Sequence, residues 1–566
     1  MGTSFESSRE VTPSTTETVL KVVIKDDAVQ ATSEEFLPAA YCFIQDQKVH
    51  FTQIEDDPTE QETNSINHAF KTGVFLKEDA DFIPDKLYVK NKNLLYSLNN
   101  PSISDVEVET TSNGNSLNVP STPATSNSNP NSNQFLGTSP PSYYANGNLR
   151  SRSPSPSPSP VPLANSLTTH SLYFPRYVVN LAENLETEFQ QLKRLILRVF
   201  PQWKDADKLV INQVTGGITN MLLSCEYNKE TTILIRVYGH GTNLIIDRHR
   251  EFISHLILNS IELAPQVHAR FKNGLIYGFL QGRSLKPEEL SNPRIYPLVA
   301  QQLGNWHKSL NYKLIEEGVD KIRTLRLSGR RNSFSKKKST RKQKKRFISN
   351  IWELIDDWIE IVPINNELTR SFQQHARNGV LVDGNNLKDV VQQEFHWLKS
   401  TLENVNSPVV SCHCDLLSGN VIVPPNYQDV FTDSAQLPQV QHNPVKFIDY
   451  EYMLPAPRAF DIANHLAEWQ GFNCDRSAIP EPTTQNPVIV QFVRGYLDCV
   501  GESHDELKIN QLVNEIKMFY GLPGFYWGIW AMIQSEISNI DFDYAEYGKL
   551  RLQEYWDWKD DYLKNH

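Results

Sequence analysis

The residues best suited to chemistry lie in two short runs, His413-Cys414-Asp415-Leu416-Leu417-Ser418-Gly419-Asn420 and Phe447-Ile448-Asp449-Tyr450-Glu451-Tyr452. The first run follows an apolar stretch, 408–412, that reads as a strand, the second opens within another, 445–448, that ends at Asp449, and Val421-Ile422-Val423 begins a third. Strands therefore deliver Asp415 and Asp449 at their ends, with Asn420 in the loop between. Phosphoryl transfer from a nucleotide needs this set. One carboxylate orients the acceptor hydroxyl and takes its proton, and a hard oxygen pair holds magnesium against the phosphates. The expected roles are Asp415 as the base, Asn420 and Asp449 as Mg2+ ligands, and His413 as a brace of the loop rather than a reactant. His-x-Asp-x-x-x-x-Asn alone is a common spacing. Its pairing with a later strand-ending Asp, after a five-strand nucleotide lobe, is far more specific. Cys412-His413-Cys414 does not read as zinc-binding, because alternation sends adjacent side chains to opposite faces and no second ligand pair is near.

The elements that must position these residues begin upstream. Segments 208–214, 221–227 and 232–238 read as strands, and Phe252, Leu256, Ile257 and Ile261 mark one face of a helix over 248–261. Two further strands flank Asn273-Gly274, a strong hairpin signal. The turn after the first strand contains Gly216 and Gly217, followed by Asn220. Its glycines allow the backbone to approach a phosphate, though any hairpin can use such a turn. Arg236 sits mid-strand among apolar residues and needs a partner, which Glu251 of the next helix supplies. That pair reads either as a phosphate contact, in place of a kinase Lys-Glu pair, or as a structural ion pair. The expected fold is α+β and bilobal, protein-kinase-like: a small β-rich lobe at 171–282 and a large, mainly helical lobe at 283–566.

The rest of the chain carries less chemistry. Residues 1–97 form an extension of unknown role with strand-like runs at 19–24 and 40–44. Residues 98–170 are rich in Ser, Asn and Pro and are expected to be a disordered linker. The Ser-Pro repeat at its end, 153–160, reads as a plain linker or as a phosphorylation substrate. Apolar residues Leu181, Leu185, Phe189, Leu192, Leu195 and Phe200 recur at helical spacing within 176–200. A basic insertion at 321–346 holds thirteen Lys or Arg and no acid. It reads as a solvated loop, with Ser333 after Arg330-Arg331-Asn332 resembling a kinase target, or as a weak contact for anionic membrane headgroups.

Net charge is −11, which excludes a general nucleic-acid binder. Six scattered cysteines are too few for a disulfide scaffold. The N-terminus has no apolar signal core, and Glu6 breaks the myristoylation pattern that Gly2 would begin. The longest apolar stretch, 519–533, is too short to span a bilayer and is interrupted by Gly521, Pro523, Gly524 and Gly528. A cytoplasmic protein is expected.

From about 205 to 560 the chain resembles the choline/ethanolamine kinases, in the wider group shared with aminoglycoside phosphotransferases. The resemblance rests on Phe447 to Tyr452 and on Phe460-Asp461-Ile462-Ala463-Asn464-His465-Leu466-Ala467-Glu468-Trp469. These are similar to the family's I-D-[FY]-E-Y and F-D-[IL]-x-N-H-x-x-E-[WF]. No D-F-G or A-P-E of an ordinary protein kinase is present. Cys414 departs from the family, which usually has Asn there.

The resemblance implies the same roles for Asp415, Asn420 and Asp449, ATP as co-substrate, and indirect help from Glu451. It also implies a cation site from Trp527, Trp530 and Tyr547 with Glu468 and Tyr452; without it, the Trp-x-x-Trp spacing reads as core packing. The small-lobe runs 234–239, Thr242, 246–248 and 273–277 resemble ethanolamine kinases, and the extension and insertion resemble fungal members. The implied activity is phosphorylation of ethanolamine, the first step of the CDP-ethanolamine route to phosphatidylethanolamine. A choline or dual kinase, and a catalytically silent kinase-fold regulator, stay as alternatives. The complete trio Asp415, Asn420 and Asp449 argues against the silent one. A homodimer is compatible with the sequence.

Overall fold

A computed structural model of the chain describes residues 40–45, 47–53, 170–180, 189–214, 220–229, 231–239, 242–325, 348–376, 379–425, 437–503, 505–538 and 540–565. The run 19–24, the Ser-Pro repeat, Gly216, Gly217 and positions 326–346 of the basic insertion lie outside the described residues.

Strands β1 (Ala40–Gln45), β2 (Lys48–Gln53) and β3 (Ser171–Phe174) precede helix α1 (Gln190–Val199). Then come β4 (Leu209–Val214), β5 (Asn220–Tyr227), β6 (Thr231–Tyr238), helix α2 (Arg248–Ser260), β7 (Val267–Phe271) and β8 (Gly274–Gly278). All eight strands form one sheet in the order β2-β1-β3-β7-β8-β6-β5-β4. Only β3 and β7 pair in parallel. Alternation along β6 explains its two faces. Ile233, Ile235 and Val237 pack with Leu192, Leu195 and Ile196 of α1. Leu234 and Arg236 point the other way and line the cleft between the lobes. At the β7–β8 turn, a Cβ on Gly274 would lie 2.2 Å from the Arg236 carbonyl oxygen, so only glycine lets this hairpin pack against β6. The Asp247 side chain accepts from the backbone N–H groups of His249 and Arg250 and caps α2.

Two differences from the sequence reading concern the N-terminal side. Within 176–200 the described helix is Gln190–Val199, while 171–174, just upstream, pairs as a strand with β7. The hairpin β1–β2, which composition sets apart in an extension without a role, joins the small-lobe sheet through β3. Its buried Ala40, Cys42, Val49 and Phe51 share a core with Phe252 and Ile253 of α2. The ring of Tyr173 stacks on Phe252 with centroids 6.4 Å apart. The hairpin therefore backs the helix that carries Glu251.

The large lobe begins with β9 (Arg283–Ser284) and helices α3 (Tyr296–Ser309), α4 (Tyr312–Arg323), α5 (Ile351–Ile361), α6 (Asn366–Gln374) and α7 (Leu387–Glu403). Four short strands follow: β10 (Val409–Cys412), β11 (Val421–Val423), β12 (Lys446–Phe447) and β13 (Leu454–Pro457). β10 pairs with β13, and β11 lies between β12 and β9. Helices α8 (Arg458–Ala467), α9 (Pro487–Val500), α10 (Glu506–Phe519), α11 (Leu522–Ile537) and α12 (Tyr544–Asn565) complete the lobe. The apolar run at 519–533 is mostly α11, buried along nearly all its length. Among the described residues, no helix is long and apolar enough to cross a membrane. The architecture is the α+β, bilobal one expected.

Candidate active site

Asp415 leaves the end of β10 through Cys414, whose φ is 64°. Asp449 follows β12 at φ 67°. Both lie in the left-handed region, which a residue with a Cβ enters only when its surroundings hold it there. Helix α8 and the residues just after it hold the first loop. Its residues Asp461, Asn464 and His465, with Glu468 beyond its end, recur at the spacing of one helix face. Asp461 accepts the backbone N–H groups of His413 and Cys414, each at 2.8 Å, and bonds His307 Nε2 at 2.9 Å. Asn464 Nδ2 donates to the Cys414 carbonyl at 3.0 Å, and His465 Nδ1 lies 2.8 Å from that of Leu416. All three side chains are buried. Burial would raise the Asp461 pKa, but its bond to His307, the nearby histidines and the Cys414 N–H outweigh that and hold it low. It remains a charged acceptor for the loop.

His413 stands at the start of the same loop. Its Nε2 lies 3.0 Å from the Ile448 carbonyl, tying it to the run that carries Asp449. Burial lowers its pKa to about 4, so the ring is neutral at physiological pH. Asn420 Nδ2 donates to the Asp415 main-chain oxygen at 2.8 Å and to Asp415 Oδ2 at 3.2 Å. Asp415 Oδ1 is buried and has no hydrogen-bond partner among the described residues. A buried acceptor left open in this way calls for a ligand donor. Burial, then the charges of Asp449, Glu468 and Glu451, push the Asp415 pKa well above the ordinary carboxylate value. That favours a group able to accept a proton.

Across the cleft, Arg236 Nη1 meets Asp449 Oδ1 at 2.8 Å, Glu251 Oε1 at 3.2 Å and Glu451 Oε2 at 3.4 Å. The Arg236–Glu251 pair thus forms, and the same Arg236 nitrogen also binds Asp449, the acid read as a metal ligand. Burial raises the Asp449 pKa to about 6, with the Arg236 charge opposing. Arg236, Glu251, Asn420 and Asp449 line one cleft with Leu222, Leu234 and Tyr277. Asn420 uses only Nδ2 in its side-chain bonds to Asp415, which leaves its amide oxygen for a cation. That oxygen and the Asp449 carboxylate are the hard donors that suit Mg2+. A cation there competes with Arg236 for Asp449. Asn220 begins β5, and the glycine turn before it lies outside the described residues.

The aromatic residues gather beyond Asp415. Trp530 Nε1 donates to the Tyr452 hydroxyl and Trp527 Nε1 to Asn464 Oδ1, both at 2.8 Å. The two indoles meet edge to face, with centroids 5.3 Å apart. Tyr547 and Glu468 are joined by Arg551, whose Nη1 lies 2.8 Å from the hydroxyl of one and from Oε1 of the other. Tyr452 thus meets both Trp527 and Trp530, and Arg551 links Tyr547 to Glu468. Sequence reasoning gave no role to Asp461, Asn464, His465, Arg248 or Arg551. For the first three, the signal was present in their spacing.

A family model described as choline/ethanolamine kinase matches residues 211–556. Ethanolamine kinase 1 of Homo sapiens is 30% identical over 374 residues, covering 64% of this chain and 70% of that protein. Ethanolamine kinase 2 of Homo sapiens is 30% identical over 367 residues, covering 64% and 79%. Among solved structures, an ethanolamine kinase of Plasmodium vivax shares 29% identity with a TM-score of 0.50, covering 67% of this chain and 92% of that one.

Proposed function

The chain belongs to the choline/ethanolamine kinase family, and we propose that it transfers the γ-phosphoryl group of ATP to the hydroxyl of ethanolamine, giving phosphoethanolamine and ADP. The observation that carries the chemistry is the buried, unpartnered Oδ1 of Asp415 beside Asn420. Asp415 orients the acceptor hydroxyl and takes its proton as the new oxygen–phosphorus bond forms. The bond from the γ-phosphorus to the bridging oxygen breaks, and ADP leaves with that oxygen. Arg236, kept in place by Glu251, reaches toward the phosphates, and the sequence motif of Gly216, Gly217 and Asn220 is assigned to the same nucleotide. Asn420 and Asp449 would hold magnesium. When bound, magnesium neutralises charge on the phosphates.

Trp527, Trp530 and Tyr547 offer aromatic surface to the ammonium group, and Glu468 and Tyr452 offer it oxygen acceptors. A primary ammonium needs such acceptors, whereas a trimethylammonium needs only the aromatic surface. These acceptors, together with the ethanolamine kinases that the chain is similar to, support ethanolamine as the amine. We assign the reaction, between small soluble substrates, to the cytoplasm.

The test is a panel of ethanolamine, its N-methylated forms and choline, with magnesium and ATP and the purified full chain. The highest kcat/KM is expected for ethanolamine. Transfer to none of them would sink the activity, and a preference for choline would correct the amine.

A further inference from the structure

Arg236 brings one nitrogen to three carboxylates, Asp449, Glu251 and Glu451. It faces the cleft, where a nucleotide polyanion must compete for it. A second guanidinium lies behind. Arg248, in the first turn of α2, is buried, and its Nη1 meets Glu251 Oε2 at 3.0 Å and Glu451 Oε2 at 2.8 Å. Its Nη2 donates to Thr242 Oγ1 at 2.6 Å, and its guanidinium lies 4.0 Å from the centre of the Tyr238 ring. Arg248 therefore joins the end of β6 and the start of α2 to the loop of the large lobe that carries Asp449.

The two arginines divide the acids unequally. Glu251 gives one oxygen to each, Glu451 Oε2 sits between both and closer to Arg248, and Asp449 is bonded by Arg236. Three carboxylates face two guanidinium groups in this cluster. Without Arg248, Glu251 and Glu451 would each lose a guanidinium partner and draw more on Arg236, and the cleft would repel a polyanion more strongly.

We infer that Arg248 is a positioning residue for the nucleotide: by holding Glu251 and Glu451, it frees Arg236 to leave Asp449 for the phosphates of ATP. This rests on the phosphotransfer reading of the site. Lysine in its place keeps the charge but has no planar fork to reach both acids and Thr242 together.

The experiment compares wild type, Arg248→Met and Arg248→Lys as full-length proteins. It measures ATP affinity by calorimetry in EDTA and with magnesium, KM and kcat for ATP, KM for ethanolamine, and the thermal midpoint. Arg248→Met should weaken metal-free ATP binding and raise the KM for ATP about tenfold or more, with the KM for ethanolamine within about twofold. Arg248→Lys should recover part of the loss. Wild-type ATP affinity in a folded Arg248→Met protein would overturn the inference, as would equal rises in both KM values with a lower midpoint. If Arg248→Met does not fold, Thr242→Val decides. Losing the hydroxyl should weaken ATP about threefold in the same direction, and unchanged affinity would overturn the inference. A wild type that binds ATP but phosphorylates no amino alcohol would overturn the activity reading and leave these affinities to judge Arg248.

Discussion

Asn420 and Asp415 are joined twice through one amide nitrogen, to the main-chain oxygen at 2.8 Å and to Oδ2 at 3.2 Å. The bond fixes the carboxylate with Oδ1 as its open oxygen. Asp415→Asn keeps the shape and removes the proton acceptor. It should lower kcat by about 10²–10⁴ while leaving the thermal midpoint near that of wild type. Steady-state kinetics beside a melting curve checks this. Turnover within tenfold of wild type would remove Asp415 as the base.

The trio Asp415, Asn420 and Asp449 was legible because strand ends and loop lengths are local properties of sequence. The five strands and helix from 209 to 278 were legible for the same reason. The run 40–44 was legible as the strand β1, but the place of the β1–β2 hairpin in the small-lobe sheet was not: more than a hundred residues separate it from β3, and its pairing is a long-range event. Arg248, noted only within the run 246–248, and Arg551 were given no role because their partners Glu451 and Glu468 lie 203 and 83 residues away. The helix face Asp461, Asn464, His465 and Glu468 was visible as a motif, yet its task of holding residues 413–416 required the coordinates.

Cys414 occupies a left-handed conformation that asparagine tolerates better. A residue with a Cβ pays about 1–2 kcal/mol there. Its N–H and carbonyl are both held, by Asp461 and Asn464, so the conformation cannot relax. Cys414→Asn should keep stability within about 1 kcal/mol of wild type and turnover within about threefold. Cys414→Val, β-branched, should lose about 3 kcal/mol and most activity. Urea unfolding and kcat of the two variants test this, and a valine variant as stable as wild type would contradict it.

Acid should weaken the fold through its buried histidines. Burial lowers His413 and His465 to about 4 and His255 to about 3, from an ordinary value of 6.5. Between 6.5 and these values the unfolded chain binds the proton and the folded chain does not. The contribution is therefore complete above pH 6.5 and is lost as pH falls toward 4. At pH 5 the loss is about 2 kcal/mol for each such histidine. Asp415 and Asp449, whose pKa values are raised, act in the opposite sense and offset part of it. From pH 7.5 to pH 5, His465→Asn should lose about 2 kcal/mol less than wild type in urea unfolding. Equal losses would show that His465 does not carry this linkage.

The paired tryptophans should separate amine binding from nucleotide binding. Trp527 is oriented by Asn464, which also holds the Cys414 carbonyl, so the indole and the catalytic loop share one anchor. Trp530 is oriented by the Tyr452 hydroxyl. An aromatic face contributes about 1–2 kcal/mol to a desolvated ammonium, and leucine keeps the packing without that attraction. Trp530→Leu should therefore raise the KM for ethanolamine about tenfold and leave the KM for ATP within about twofold. Trp527→Leu also frees Asn464, so it should lower kcat as well as raise the KM for ethanolamine. Equal changes in the KM for ATP and for ethanolamine would mean that the indoles only fill the core. A fall in kcat confined to Trp527→Leu would identify Asn464 as the link between the amine site and the base.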